Sequence, residues 1–165
     1  MKTQKLQSNE ILSHQERDDF STIIRKAPWL YEPILDNVVA YANTLRSLHD
    51  VACGDGYLFN KINHLWPHLE LSGSDIDSLF IEEARREYPF RFEQKDVAEI
   101  QGPYDVVTCN LALHHFKEPI AAIRAMCASS RVLVISDQIR PKTEEDLETR
   151  LQKREDTLRD NDAPF

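Results

Sequence analysis

The chain contains no long apolar run. Its apolar stretches are short, such as Val132 to Ile135, far below the roughly 20 residues of a membrane-spanning helix. The opening stretch, Met1-Lys-Thr-Gln-Lys-Leu-Gln-Ser-Asn-Glu10, has no apolar signal core, so a cytoplasmic protein is expected. A basic excess is also missing. Lys and Arg total 20 against 28 Asp and Glu, a formal net charge of −8, and the basic residues are scattered among acids. A protein that grips a nucleic-acid backbone carries a basic patch, so neither nucleic acid nor membrane is expected as a partner. The three cysteines, Cys53, Cys109 and Cys127, have no metal-ligand spacing, so no metal site is expected. Their odd number, without a secretion signal, reads as reduced thiols, each by default a small apolar filler.

What is present is the composition of one ordinary globular domain: 165 residues, 41% hydrophobic and 29% charged. Ser13-His-Gln-Glu16 has capping-box spacing, and Phe20, Ile23, Ile24 and Ala27 follow at helical intervals up to Pro28. A second helix is predicted from about Pro33, with Ile34, Leu35, Val38, Val39 and Ala42 on one face. The pattern then changes. Predicted strands at Ser47–Ala52, Leu69–Ser74, Phe90–Phe92, Tyr104–Cys109 and Arg131–Ser136 alternate with helical stretches. Those stretches hold Leu58, Phe59, Ile62 and Leu65, then Leu79, Phe80 and Ala84, then about Glu118 to Ala128. This alternation implies βαβ units, hence an α/β fold with a doubly wound, mostly parallel sheet. The division expected is a helical lid over 1–46, an α/β core over 47–140 and a charged tail over 141–165. In the tail, Leu147, Leu151 and Leu158 form a thin stripe, read as a helix needing a partner or as a solvated one.

The densest signal is Asp50-Val-Ala52-Cys53-Gly54-Asp55-Gly56 between a strand and a helix. Glycines there let the backbone turn sharply near a ligand, and the helix N-terminus offers free N–H groups. Asp75 ends the next strand, roughly 20 residues on, the interval at which an acid meets ribose hydroxyls in nucleotide-binding βαβ folds. Capping of the following helix is the alternative use of Asp75 or Asp77. The division taken is Asp75 for ribose and Asp77 for the cap. Two features speak against a dinucleotide. Asp55 would repel pyrophosphate while suiting a cationic sulfonium or amino group, and Phe59 stands where the third glycine belongs.

The segment 50–56 resembles the first motif of class I S-adenosylmethionine-dependent methyltransferases of small molecules. Gly73-Ser-Asp75-Ile76-Asp77 is similar to their second motif, Gln94-Lys-Asp96-Val97 to their third, and Tyr104 to Phe116 to their fourth. Arg131 to Asp137 resembles their fifth strand. The resemblance implies S-adenosyl-L-methionine as cofactor. It implies Asp50, Ala52, Cys53, Gly54 and Gly56 at the methionine end, Asp75 on the ribose and Ile76 against adenine. It further implies Asp96 accepting from the adenine amino group, Val97 offering a backbone N–H, and Asn110 and Leu111 flanking the methionine moiety. His114 or His115 is the candidate base, with core packing or plain solvation as the alternative. Ala52 replaces the family's first glycine, which is tolerable if its φ is negative. Members usually continue past the fifth strand with a helix and two more strands. No strand signal follows Ile135, so a truncated chain, the charged tail or a second copy is expected to account for the apolar edge. The readings are therefore a methyltransferase acting on a small molecule, or a non-catalytic cofactor-binding or interaction module.

Overall fold

A computed structural model describes residues 21, 22, 25–27, 30–137, 149 and 152. Five segments whose apolar residues are bounded by Gly, Pro, Asp or Ser form parallel strands: β1 (Ser47–Val51), β2 (Glu70–Asp75), β3 (Arg91–Gln94), β4 (Tyr104–Asn110) and β5 (Ser130–Ser136). Parallel neighbours cannot be joined by tight turns, so crossovers connect them. α1 (Glu32–Val39) precedes the sheet, α2 (Tyr57–Leu65) joins β1 to β2, α3 (Ser78–Glu87) joins β2 to β3, and α4 (Pro119–Ser129) joins β4 to β5. The sheet order is β3-β2-β1-β4-β5. The chain winds outward from β1 to β3, then returns to the other side of β1. That reversal opens a crevice at the carboxyl ends of β1 and β4, where open α/β sheets bind ligands.

Each sheet face has its own core. Leu48, Leu71, Val106 and Val134 pack with Ile34 and Val38 of α1, Phe59 and Ile62 of α2, and Ile81 and Ala84 of α3. Val51, Val107 and Cys109 pack with Val97, Ile100 and, from α4, Ala122 and Met126. Val106 and Val107 are consecutive on β4 and enter opposite cores, because side chains alternate along a strand. Full burial of a side chain such as Phe59 or Ile62 contributes on the order of 1.5–3 kcal/mol. Phe59 also explains the missing third glycine. A Cβ on Gly73 of β2 would lie 2.9 Å from both the Phe59 ring and Cys53 Sγ. The close helix-to-strand approach is thus obtained with a large residue on α2 and a glycine on β2.

Several boundaries differ from those expected. α1 starts at Glu32, with Pro33 in its first turn, and buries Ile34 and Val38, whereas Val39 is 57% exposed. A helix eight residues long has a narrow packed stripe, and Val39 falls outside it. β3 lies at Arg91–Gln94 rather than Phe90–Phe92, drawn along by its register with Ser72 to Asp75 of β2. Residues 21, 22, 25 and 26 are helical, as are 149 and 152. The predicted capping box at Ser13 to Glu16, the positions of Phe20, Ile23 and Ile24, and the tail's Leu147, Leu151 and Leu158 lie outside the described residues. No helix among the described residues is long and apolar enough to cross a membrane.

Candidate functional site

The loop after β1 is held by the end of β2. The N–H of Cys53 donates to the Ser74 carbonyl at 3.1 Å, and the N–H of Gly54 donates to Asp75 Oδ2 at 2.9 Å. To make these bonds the loop turns through the left-handed region at Gly54 (φ 53°), Gly56 (φ 78°) and also Ala52 (φ 55°). The condition under which alanine would be tolerable at position 52, a negative φ, is not met. With these two bonds made, the left-handed turn already begins at Ala52, two residues before Gly54, where an alanine costs on the order of 1 kcal/mol. A second strained residue, Leu111 (φ 55°), follows β4, with its N–H donating to the Ser136 carbonyl at 2.7 Å. Two non-glycine residues in this conformation, at the ends of neighbouring strands, mark the crevice as a place where fold stability yields to another demand.

Four carboxylates surround these strand ends. Asp50 is buried on β1, and Oδ1 accepts the Thr108 hydroxyl at 2.6 Å. Burial pushes its carboxyl up to about 7, with a contribution from the Asp75 charge and against the Thr108 hydrogen bond. Asp75 accepts from Gly54 N–H and, at 2.9 Å, from Asp77 N–H, so it ties the two loops together. Burial raises its pKa, and those N–H groups oppose the rise. Asp77 accepts from Leu79 N–H at 2.9 Å and caps α3, as expected. Asp96 Oδ1 accepts from Ala98 N–H at 2.9 Å, while Oδ2 is buried without a hydrogen-bond partner. Asn110 Oδ1, at the end of β4, is likewise buried and unpartnered. A buried oxygen left unsatisfied costs on the order of 1–3 kcal/mol, so two of them near one set of strand ends call for an explanation.

The cleft between these ends holds about 330 Å³ of empty space, open solvent included. Asp50, Ala52, Cys53, Gly54 and Asn110 line it, and Tyr31, at the start of α1, lines it from above the sheet. Burial pushes the Cys53 thiol well up, which removes it as a nucleophile. Ile76 follows Asp75, and its carbonyl accepts from Gln94 Nε2 at 3.1 Å. Val97 opens a short 3₁₀ turn with its side chain buried. Leu111 is buried beside Asn110. His114 and His115 sit in a 3₁₀ turn just beyond, with ring centroids 4.0 Å apart.

Asp55 does not stand free for a cationic ligand. Its Oδ2 accepts from Arg25 Nη2 at 3.1 Å, and its Oδ1 from Tyr57 N–H at 3.1 Å. Arg25 also reaches Glu87 Oε2 at 2.9 Å. Ion pairing within the chain therefore engages the carboxylate that the sequence reading took to suit a cationic ligand. The parts of the site that sequence reading missed, Arg25, Tyr31 and Asp137, all act across long chain separations with no local motif. Among the described residues, no three His, Cys, Asp or Glu side chains gather as a metal site would require.

Residues 49–130 match the family model described as a methyltransferase domain. This is a methyltransferase domain. Its fold is that of the class I S-adenosylmethionine-dependent enzymes, and solved structures agree. The plantazolicin methyltransferase BpumL in complex with SAH superposes with a TM-score of 0.71 at 20% identity, over 90% of this chain and 63% of that one. The sugar N-methyltransferase KedS8 from Streptoalloteichus sp ATCC 53650 gives 0.62 at 22% identity, over 87% and 61%. Magnesium protoporphyrin IX methyltransferase (ChlM) from Synechocystis PCC 6803, with bound SAM, gives 0.56 at 22%, over 80% and 72%. The methyltransferase domain described here thus spans under two thirds of the length of BpumL and KedS8. No curated protein matches the chain.

Proposed function

We propose that this chain binds S-adenosyl-L-methionine and transfers its methyl group to a small-molecule acceptor. The observation that carries the reading is the pair of buried, unpartnered acceptor oxygens, Asp96 Oδ2 and Asn110 Oδ1, at the carboxyl ends of a sheet wound for nucleotides. Each lacks a donor, and the cofactor supplies two: the adenine amino group for Asp96 and the methionine amino group for Asn110. Asp50 faces the same cleft, where a cationic ligand would restore its charge. Asp75 would accept from the ribose with its remaining lone pairs, Ile76 would cover the adenine, and Val97 would offer its N–H. Ala52, Cys53, Gly54, Gly56 and Leu111 shape the walls. When bound, the cofactor supplies a methyl group already activated on a sulfonium, so the protein's work is alignment and exclusion of water. His114 or His115 would serve as the base for an acceptor that must lose a proton.

The structural relatives act, by their names, on a plantazolicin precursor analogue, a sugar and a magnesium porphyrin, which supports a small-molecule acceptor. Three free cysteines fit a cytoplasmic setting. The outer edge of β5, where Val132, Leu133 and Ile135 are half-buried and no described strand pairs, suits a second copy of the chain. That same open edge favours the second reading, a cofactor-binding module without turnover.

Calorimetric titration with S-adenosylmethionine, S-adenosylhomocysteine and NAD tests the reading. Saturable binding of the first two alone is expected. Asp96→Asn keeps the cap through its carbonyl oxygen but can present a donor where an acceptor is needed, and should weaken both by tenfold or more. Equal affinity in that variant, or binding of NAD alone, defeats the proposal.

A further inference from the structure

β4 and β5 end side by side, with Asn110 in register with Ser136. The residues that follow each strand therefore meet although 23 positions separate them in sequence. Asp137, the first residue after β5, turns both carboxylate oxygens onto one residue of the turn after β4. Oδ1 lies 2.6 Å from His114 Nδ1, and Oδ2 accepts the His114 backbone N–H at 2.9 Å. The Asp137 side chain is 16% exposed and that of His114 is 43% exposed, so the carboxylate is partly shielded while the imidazole reaches solvent. A carboxylate accepts hydrogen bonds, so Nδ1 must carry the proton, and in the neutral ring the lone pair then resides on Nε2. The backbone bond adds a second point of attachment, which fixes the turn as well as the tautomer. The turn lies four residues past Asn110, which lines the cleft, and three past the strained Leu111.

We propose that Asp137 is a positioning residue that presents His114 Nε2 as the base for a methyl acceptor bearing a removable proton, a hydroxyl or an ammonium. This rests on the reading of the site as a methyltransferase. In the step it implies, His114 Nε2 takes the proton from the acceptor oxygen or nitrogen. The acceptor's electron pair closes on the methyl carbon as the carbon–sulfur bond breaks, and that bond pair stays on sulfur as a neutral thioether. The imidazolium formed lies against the Asp137 carboxylate, which stabilises it, and later loses its Nε2 proton to water. His115 lies 4.0 Å away, ring to ring.

The test uses the full chain with ¹⁵N-labelled histidine, with His115→Gln to assign the signals. In the parent protein with the ring neutral, the His114 ring nitrogens should report the Nδ1–H tautomer. In Asp137→Asn they should report a tautomer mixture. Methyl transfer from labelled S-adenosylmethionine to a panel of phenols, alcohols and primary amines is measured in parallel. The rate at pH 7 should fall tenfold or more in Asp137→Asn, and Asp137→Glu should recover part of the loss. S-adenosylhomocysteine affinity should stay within twofold. An unchanged tautomer, an unchanged transfer rate in Asp137→Asn, or no transfer to any member of the panel overturns the proposal. Loss of cofactor binding in the parent chain would instead defeat the functional reading, and the nitrogen signals would still report the pair.

Discussion

His49 and Asp50 are neighbours on β1, and both are nearly inaccessible to solvent, at 2% and 3% exposure. Their surroundings differ in kind. The His49 ring is satisfied on both sides, by Ser72 Oγ at 2.9 Å and Ser74 Oγ at 3.0 Å, and it stacks on Tyr104 at 4.5 Å. It is a core residue that happens to be polar. Asp50 has one Thr108 hydroxyl and otherwise faces the cleft. One group is finished by the fold, and the other is left for a ligand to finish. Burial drives both toward neutrality, which for a base and an acid means opposite shifts. The His49 pKa falls to about 4, chiefly through burial with help from Lys95 and Arg91, while that of Asp50 rises to about 7.

The signs follow from linkage. His49 in the fold resists protonation, so its contribution to stability is whole above its unfolded value near 6.5. That contribution is lost as pH falls toward about 4. Asp50 resists ionisation, so its cost is absent below its unfolded value of 3.8 and complete once pH has risen through about 7. The two effects oppose each other over the same window, each worth on the order of 3–5 kcal/mol at about 1.4 kcal/mol per unit. The intact protein should therefore show a flatter pH profile than either residue alone would impose.

The largest expected effect comes from neutralising the unfinished member. Asp50→Asn should stabilise the protein by about 2–4 kcal/mol at pH 8 and by almost nothing at pH 4, while S-adenosylmethionine affinity drops roughly a hundredfold. Urea melts at both pH values and calorimetry at pH 8 would show it, and an equal gain at both would break the contrast. His49→Gln should act in the other direction. It should cost about 1–3 kcal/mol at pH 7.5, by leaving a serine hydroxyl short of a partner, and the deficit should close by pH 4.5. A deficit that stays constant with pH would mean that the imidazole does not titrate as its setting implies. The smallest change sharpens the comparison from outside it. Ala52→Gly should relieve the left-handed strain and stabilise the fold by about 0.5–1 kcal/mol, equally at every pH.

Much of the fold was legible because parallel strands buried on both faces leave short apolar runs, and turns leave Gly, Pro and Asp between them. The cap at Asp77 was legible for the same reason, since Leu79 lies two residues away. The glycine loop and Asp75 could be placed by spacing alone. The conformation of Ala52 could not, because the bonds that impose it come from Ser74 and Asp75 on another strand. Asp55 was read as suiting a cationic ligand because Arg25, its ion-pair partner, is 30 residues upstream. Val39 was placed on the packed face because helical periodicity assumes a stripe wider than α1 buries.

Sequence alone determined the order of strands and helices, the winding that follows from parallel connections, and the residue types gathered at the carboxyl ends of β1 to β4. Each depends on local propensity and chain order, which a sequence carries directly. Only tertiary structure decided which polar groups are finished and which are left waiting. It satisfied His49 and paired Asp55 with Arg25, joined His114 to Asp137, and left Asp96 and Asn110 each with a buried oxygen unpaired. Those outcomes depend on which side chains meet after the chain has crossed the sheet, and burial then sets what each meeting is worth.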